Sequence, residues 1–544
     1  MNVRYLLACS LSVIVLAGCE SGDINLTPTN VDNSTTTGGG GGGGVANPCA
    51  SYTTTGGTVR QGTYDGTNCT YSASFVSFAN PLRVDLDIPA FSGVHIFQDV
   101  LAVGLNVSQG EAPAGGTGPV LTIAPGSTLA FSDNQDYLVI NRGSQIIADG
   151  TPTAPITFTS VTDAVLNSVA YNDHQEWGGV VINGNGITNN CTDAQRAAGD
   201  CHVQSEGQPV FYGGDNNGES SGILRYVVVK HTGSEVAPDD ELNGVTFNAV
   251  GAGTIVSYLE TYATYDDGIE FFGGAVNIDH YVGLYVHDDS IDFSDGYIGT
   301  IEYALIIHEQ FDGNRCIEGD NIGETRFAQG VPVTTLPMTN PTITNMTCIV
   351  SASSLGTHSD KSEGPTLRRG PYMQLRDSIV YGAYQDDDPT TPEGLNECFE
   401  FANDGTNLNA QQGLSSVNDT LIACEQAVNV LLPNGDNLIN WLMNTSAVGA
   451  DYSFNCRPIP PATAPDCGNV VIQAPDLFAN TNLNVLDSFY TDTTLVDHNG
   501  AAITTITPAS GQLGAVTRAD DWTVDWTYGL HPGSQGQPLW FGNP

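Results

Sequence analysis

Basic residues are scarce in this chain of 544 residues. Lys and Arg together number 15 against 60 Asp and Glu, which gives a formal net charge of -45. We therefore expect no nucleic-acid partner, because phosphate binding needs clustered positive charge. A chain this acidic instead attracts cations and stays soluble through self-repulsion.

Several short motifs are also absent. The sequence contains no C-x-x-C, no C-x-x-C-H, no H-E-x-x-H and no G-x-x-x-x-G-K, so a zinc ribbon, attached haem, a zinc-protease helix and a nucleotide-binding loop have no support. No stretch has the pattern of a long amphipathic helix. Gly numbers 63 and hydrophobic residues make up 40%, which predicts many turns between short strands around a sizeable core.

The N-terminus, "MNVRYLLACSLSVIVLAGC", has one early Arg and an apolar run too short to span a membrane. Its last four residues, ending at Cys19, resemble the bacterial lipobox. That resemblance implies cleavage before Cys19 and lipidation of its thiol, and Glu20 favours sorting to the outer membrane, at the cell surface or facing the periplasm. The alternative is an ordinary signal peptide with a chance Cys. Residues 20–48 include seven consecutive Gly and predict a flexible tether spanning about 30 Å.

Apart from Cys9 and Cys19, the chain has ten cysteines, an even count that indicates disulfides in an exported protein. Pairing in sequence order is the simplest arrangement, although the spacing alone leaves the connectivity open. The candidates are Cys49, Cys69, Cys191, Cys201, Cys316, Cys348, Cys398, Cys424, Cys456 and Cys467.

Internal repeats determine the predicted fold. "LTIAPGSTLAF" and "LVINRGSQIIADG" match at an offset of 17 residues, and four later segments begin at the isoleucines Ile223, Ile255, Ile278 and Ile301. Short strands repeated at about 17 to 26 residues indicate an all-β parallel β-helix, in which stacked coils bury a common core. We expect a cap at 49–117, the β-helix at 118–475 with disulfide-closed loops, and a C-terminal cap at 476–544.

The segments "EWGGVVINGNG", "ELNGVTFNAVG", "DDGIEFFGG", "EGPTLRRG" and "DDWTVDWTYG" resemble those of exported bacterial right-handed parallel β-helix repeat proteins, many of them lipoproteins of unassigned function. The resemblance covers roughly residues 118–530. It implies a right-handed β-helix and an exported location, and it brings no catalytic residues.

The most informative motif occurs twice, as "YDDGIEFFGG" at 265–274 and "HDDSIDFSDG" at 287–296. Strand alternation places Ile269 and Phe271 in the core and the acids outside or in the turn. In successive coils, matching side chains would lie about 4.8 Å apart. Glu318 is a candidate extension. The motif predicts a stack of six acids, which we call the acid column: Asp266, Asp267, Glu270, Asp288, Asp289 and Asp292.

Like charges at this spacing repel by about 1 kcal/mol per pair in water, and more where water is excluded. Raised carboxyl pKa values, a nearby cation or a bound metal would each relieve that repulsion. Because Lys and Arg are scarce and the donors are oxygens, we predict calcium as the bound ion. The alternative is a solvated acidic edge whose acids and glycines only shape turns.

Two weaker metal candidates have simple alternatives. "YGGDNNGESSG", with Asp215 and Glu219, resembles half of an ion-binding loop but could equally be a turn. His231, His287 and His308 each follow the same family of strands, so they are either a zinc site or partly exposed turn histidines.

The expected function is a lipid-anchored binding or structural protein of the cell envelope, adhesin-like, with a glycan or other cell-surface ligand. The alternative is a polysaccharide lyase or glycoside hydrolase acting on an acidic glycan, since lyases of this shape combine calcium-binding acids with a basic residue. If "PTLRRG" is a strand, its two arginines point to opposite faces, and nothing in the sequence places either beside the acid column. The basic candidates are Lys361, Arg368, Arg369 and Arg376.

Tryptophan numbers five, too few for an evident sugar-binding platform. Trp177 is expected either to fill the core or to stand at the mouth of a groove. Trp522 and Trp526 are expected to anchor the C-terminal segment against the last coils.

Overall fold

The computed structural model describes residues 46–107, 117–207, 209–237, 240–351, 362–382, 398–402, 404–424, 431–453, 456, 467–473, 488–492, 506–533 and 539–540. Cys19, Lys361 and nearly all of the tether lie outside these residues. Among the helices in these ranges, none has the length and apolar character needed to cross a bilayer.

The first half of the chain forms short strands. They are β1 Ser51–Thr53, β2 Val59–Gln61, β3 Thr63–Tyr64, β4 Cys69–Tyr71, β5 Leu86–Ile88, β6 His95–Phe97, β7 Leu101–Val103, β8 Val120–Ile123, β9 Thr128–Phe131, β10 Leu138–Ile140, β11 Gln145–Asp149, β12 Ile156–Ser160, β13 Val180–Asn183, β14 Val203–Gln204, β15 Phe211–Tyr212, β16 Gly222–Lys230, β17 Glu235–Ala237, β18 Asp240–Glu241, β19 Val245–Asn248, β20 Ile255–Tyr262 and β21 Ile269–Phe272.

The second half continues in the same way. Its strands are β22 Asn277–Leu284, β23 Ile291–Ser294, β24 Thr300–Ile307, β25 Arg315–Asp320, β26 Thr342–Thr344, β27 Thr347–Val350, β28 Glu363–Arg368, β29 Gln374–Arg376, β30 Ile379–Gly382, β31 Glu400–Phe401, β32 Ser416–Asn418, β33 Leu421–Cys424 and β34 Val470–Gln473. Helices are confined to connecting loops: α1 Val161–Ala164, α2 Asp193–Ala198, α3 Glu324–Ala328, α4 Thr406–Gln411 and α5 Leu438–Leu442.

The strands wind into a parallel β-helix, as the repeats predicted. A nine-stranded sheet runs in the order β7-β10-β13-β19-β21-β23-β25-β28-β31, and a larger sheet holds the remaining strands of the coils. In the acid-column region one coil takes 22 residues, because Ile269 pairs with Ile291 across parallel strands. Each coil therefore places its apolar side chains directly over those of the coil before it.

Two details of the predicted register are wrong. The 17-residue match does not relate successive coils, because Leu121 pairs with Ile146 in one sheet while Leu138 pairs with Leu101 in the other. The two segments resemble each other because each consists of two short strands joined by a turn, β8 and β9 in the first and β10 and β11 in the second. The lead isoleucines slip by one at a single step, where Ile278 pairs with Val256 rather than Ile255. The steps before and after it are in register, as predicted.

The core contains stacked rings and aliphatic side chains from successive coils. Phe131 stacks on Trp177 at 4.4 Å, and Phe271 stacks on Tyr297 at 4.2 Å between ring centroids. Trp177 is fully buried and donates its indole N–H to the Lys230 carbonyl at 2.8 Å. Trp177 therefore fills the core and does not line a groove.

The long strands of the larger sheet each bend at a residue with positive φ. These corner residues stack from coil to coil, because their preceding residues pair in register. Asn and Asp tolerate this left-handed conformation, whereas Tyr adopts it rarely. The corner column consists of Tyr226, Tyr258, His280, Tyr303, Asn345, Asp377 and Asp419.

Residues 506–533, here called the strap, run along this corner column. The carboxylate of Asp377 accepts backbone N–H groups of Ala509 and Ser510 at 2.8 and 2.9 Å, and Trp526 packs edge-on against Tyr226 and Tyr258. The expectation that the tryptophans lie against the last coils is therefore wrong. The strap covers the side of the solenoid because strands such as β16 and β24 are apolar on their outer face as well.

Four predicted disulfides are present in sequence order: Cys49–Cys69, Cys191–Cys201, Cys316–Cys348 and Cys456–Cys467. The first joins the antiparallel hairpins at the N-terminal end of the solenoid. The side chain of Cys424 lies outside the described residues, so the fifth pair, with Cys398, stays a prediction.

Candidate functional site

The acid column lies on the outer side of the nine-stranded sheet. Glu270 of β21 pairs with Asp292 of β23, which pairs with Glu318 of β25. Ile269, Phe271 and their counterparts Ile291 and Phe293 point the other way and are fully buried in the core. The predicted stacking is thus present, with Glu318 as its extension.

The acids are not a solvated edge. Asp267, Glu270, Asp289 and Glu318 are each less than 8% exposed, while Asp266, Asp288 and Asp292 are partly exposed. The alternation rule identified the outer face correctly but could not show that neighbouring loops cover it. Burial makes the clustering of acids far more costly than it would be on an open surface.

One row of the column has a structural role. The side chain of Asn243 accepts a hydrogen bond from the backbone N–H of Asp267 at 3.1 Å. In the same way, the carboxylate of Asp267 accepts the backbone N–H of Asp289 at 3.1 Å. The carboxylate of Asp289 in turn accepts the backbone N–H of Arg315 at 2.7 Å. Each side chain therefore satisfies a buried turn amide of the next coil. The first position shows that a neutral amide can do this, so backbone capping alone does not explain why the next two positions are acids.

The two ends of the column differ in charge compensation. At the β25 end, Arg315 lies 2.9 Å from Glu318, and Arg368 forms an ion pair with the same carboxylate. At the β21 end, a neutral side chain meets the acids, because Asn243 donates to Glu270 at 2.5 Å. Glu206 adds further negative charge there. Among the described residues, the ion pairs between arginine and the column are therefore found at the β25 end.

The arginine arrangement corrects a sequence prediction. Arg368 and Arg369 do not diverge, because both guanidinium groups form ion pairs with Asp320. Arg368 ends β28, and Arg369 has a positive φ of 54°, so strand alternation stops between them. Arg368 lies beside the acid column, whereas Arg376 is exposed on the larger sheet.

The pKa values follow this distribution of charge. Burial, reinforced by Asp288, raises the pKa of Asp266 well above its ordinary value, and burial with Glu206 and Asp292 does the same for Glu270. Burial also raises the pKa of Asp289 to about 8, although Arg315 and Arg368 oppose the shift. Without a further cation, these raised pKa values favour the protonated, uncharged form of the carboxyls.

The column contains three overlapping groups of candidate metal ligands, each with its ligand atoms within 4.8 Å of one another. Asp292 belongs to two of these groups, and its Oδ1 atom is buried with no hydrogen-bond partner. An all-oxygen, carboxylate-rich set with an unsatisfied buried oxygen fits calcium. The groups are Asp266, Asp267 and Asp288; Asp267, Glu270 and Asp292; and Asp289, Asp292 and Glu318.

The second predicted loop is not brought together in the same way. Asp215 is exposed, whereas Glu219 is buried and accepts the N–H of Gly251 at 2.6 Å. Burial raises the pKa of Glu219 to about 7. Residues 218–222 also match the letters G-x-S-x-G, but they lead into β16 and not into a helix, so they are not a nucleophile elbow.

The three predicted histidines do not form one group among the described residues. His231 and His308 are buried rather than partly exposed; Nδ1 of His231 lies 2.6 Å from the Asp173 carbonyl, and Nδ1 of His308 lies 2.6 Å from Ser362 Oγ. His287 instead meets His174 and Asp312. No pattern in the sequence indicated His174 or Asp312 as a partner of His287, because these two residues lie on separate loops.

A polar groove of about 280 Å³ lies on another part of the solenoid. In it, Lys230 forms an ion pair with Asp163 at 2.7 Å, and its ammonium lies 3.7 Å from the centroid of the Tyr528 ring. Lys230 and Asp163 are both largely buried, and the strap supplies Tyr528. These contacts hold the strap in place. The acid column contains more clustered ionisable side chains than this groove does.

The family comparison agrees with the fold. A family model described as a pectate-lyase-like β-helix domain matches residues 114–429, more than half of the chain. The chain belongs to this family. A search of curated proteins and a search of solved structures each gave no match. In this pectate-lyase-like β-helix, the matched residues include all seven acids and the arginines beside them.

Proposed function

We propose that this protein binds an acidic glycan at the cell envelope through the acid column, with calcium as the bridging ion. The observation that supports this function best is the buried column itself, whose arginine ion pairs, in the part of the chain that the structure describes, lie at the β25 end. The family, named for its likeness to pectate lyase, makes a glycan-related role a reasonable expectation.

The residues fit calcium at the β21 end, away from the arginine ion pairs of Glu318. Asp266, Asp267, Glu270, Asp288 and Asp292 would supply the oxygens, and Asp292 would use its unsatisfied Oδ1 atom. Bound calcium would neutralise the column and offer open coordination positions to a carboxylate of the glycan. Arg315 and Arg368 would add charge-assisted hydrogen bonds to the same ligand.

Thermal unfolding of the full chain tests the calcium part. The protein is stripped with chelator and titrated with calcium, alongside Asp292→Asn and, as a matched control, the exposed Asp215→Asn. A hundredfold excess over the dissociation constant should stabilise wild type and control by about 2.7 kcal/mol and the Asp292 variant by much less. Equal responses in all three proteins, or an equal response to magnesium, would contradict the assignment.

A binding assay tests the glycan part. Polygalacturonate is the acidic probe, and a neutral glucan of similar length is the control. Binding should require calcium, fall with added salt and be weakened by Asp292→Asn. Binding that survives chelator, or that does not distinguish the two polymers, would rule out the proposed mode.

Cleavage by β-elimination is a second candidate, favoured by the position of Arg368. Burial, with Arg369 and Arg315 nearby, lowers the pKa of Arg368 to about 10, which brings a guanidine closer to acting as a base. In such a step the base removes the proton next to the uronate carboxyl, the glycosidic C–O bond breaks, and a carbon–carbon double bond forms as the leaving oxygen is protonated.

Ultraviolet absorption of the unsaturated product tests this candidate directly. Wild type should generate it from polygalacturonate with calcium, whereas Arg368→Lys should abolish turnover while retaining polymer binding. Binding without any unsaturated product would leave the glycan-binding role and exclude the lyase.

The envelope location rests on the sequence of the first 20 residues. Cys19 would carry the lipid, and residues 20–48 would hold the β-helix away from the outer membrane. Labelling with a fatty-acid analogue should modify the wild-type chain but not Cys19→Ser. Equal labelling of both proteins would contradict anchoring at this residue.

A further inference from the structure

Three side chains from three separate loops converge beside the acid column. His174 lies between α1 and β13, His287 follows β22, and Asp312 lies between β24 and β25. Their ligand atoms are all within 4.8 Å of one another, and Nδ1 of His287 lies 2.6 Å from Oδ2 of Asp312. The convergence depends on the stacking of coils, which brings distant loops to the same edge.

Packing fixes the two imidazole rings. Tyr265 stacks on His287 with centroids 4.7 Å apart and packs against His174 at 4.9 Å. The His287 N–H donates to the Thr264 carbonyl at 2.9 Å, and the neighbouring Gln175 N–H donates to the Thr232 carbonyl at 2.8 Å. The backbone at His287 and beside His174 is therefore held in place by hydrogen bonds.

The donor set differs in kind from that of the acid column. Two imidazole nitrogens and one carboxylate oxygen suit zinc and other late first-row metals, whereas calcium prefers oxygen alone. The side chains of His287 and Asp312 are 12% and 22% exposed, which leaves a path from solvent. Three protein ligands would also leave a coordination position for water or a substrate group.

We infer that His174, His287 and Asp312 form a zinc site that is separate from the calcium-binding column. Zinc would take the place of the proton between His287 and Asp312 and draw in His174 as the third ligand. The site adjoins the column, since Asp288 follows His287 directly. A glycan bound at the column would therefore lie close to the open position of the zinc.

The test is zinc titration of the full chain, with any affinity tag removed and calcium kept in saturating excess so that the acid column is filled. A chromophoric chelator competes for the zinc. The variants are His174→Gln and Asp312→Asn. The matched control is His280→Asn, which removes an imidazole paired with Asp279 at a left-handed corner where Asn is tolerated.

Wild type and His280→Asn should each bind one zinc ion per chain, and both site variants should bind about 100-fold more weakly. Cobalt in place of zinc should show tetrahedral visible absorption in wild type and in His280→Asn, but in neither site variant. Retained affinity and retained cobalt absorption in both site variants would overturn the assignment, as would displacement of zinc by calcium. Asp292→Asn should leave zinc binding unchanged, so failure here and failure at the calcium site are distinguishable.

Discussion

Replacing Asp289 by Asn separates the two roles of the acid column. Asp289 is 3% exposed and its carboxylate accepts the N–H of Arg315. Asn retains that acceptor and its amide can donate to the neighbouring carboxylates of Asp292 and Glu318, but it has no charge. We therefore expect the Asn variant to be more stable than wild type without metal, and less responsive to calcium.

The magnitude follows from the raised pKa. Asp289 keeps its proton in the fold up to about pH 8, whereas it ionises near pH 3.8 when unfolded. Each pH unit between these values costs the metal-free fold about 1.4 kcal/mol, or up to about 4 kcal/mol at pH 7. The advantage of Asn should be absent below pH 3.8, grow as the pH rises and level off above pH 8.

The assay is the melting temperature of metal-stripped protein from pH 4 to pH 8, repeated with saturating calcium at pH 7. Asp289→Ala is the control, because it removes the hydrogen bond to Arg315 as well as the charge, and it should be less stable than the Asn variant at every pH. An Asn variant that melts below wild type in chelator at pH 7 would refute the reasoning. It would show that Arg315 and Arg368 keep Asp289 ionised and stabilising.

Three further predictions concern other parts of the fold. Glu219→Gln should stabilise the protein by up to about 3 kcal/mol above pH 7 and leave its stability unchanged below pH 4.5, because burial raises the pKa of Glu219 to about 7. Thermal melts over a series of pH values measure this difference, and a difference that does not depend on pH would contradict the prediction. In the corner column, Tyr303→Asn should lower the melting temperature less than Tyr303→Val, because the positive φ of 56° at this position disfavours a β-branched residue. Equal decreases in melting temperature would argue against backbone strain at Tyr303. Removing the Cys316–Cys348 disulfide by double Ala substitution should lower the free energy of unfolding by about 4 kcal/mol, since the disulfide closes a loop with a sequence separation of 32. Denaturant unfolding with and without reductant measures this loss, and a double variant as stable as the oxidised wild type would contradict the prediction.

The unequal ends of the acid column have a functional consequence. Arginine ion pairs lie at the β25 end, whereas under the proposed function protons or a metal ion would relieve the repulsion at the β21 end. A ligand that brings calcium, or that stabilises bound calcium, would therefore bind most strongly at the β21 end. The zinc site inferred from His174, His287 and Asp312 adjoins the column at Asp288, which follows His287 directly.

The fold was largely predictable from the sequence because a β-helix repeats its own pattern. The apolar residues Ile269 and Phe271 recur as Ile291 and Phe293 at the coil spacing, so the pairing of Glu270 with Asp292 followed from spacing alone. The 17-residue match failed because strand–turn–strand units on different sheets resemble each other as closely as units on successive coils do. Local pattern alone cannot tell the two cases apart.

The arginines show why the site was harder to predict. Alternation holds only while the backbone stays extended, and the positive φ at Arg369 ends it, so both guanidinium groups reach Asp320. Glu318, by contrast, was predictable because it lies in a regular strand.

The sequence by itself determined the β-helix fold, the pairing of Glu270 with Asp292 and the outward direction of the acids, because each depends on spacing along a repeating strand. Only the tertiary structure decided that the acids are buried, that arginine meets them at one end, and that His174 and Asp312 join His287. These features depend on loops of different length folding back over the coils, and loop paths are set by packing and not by periodicity.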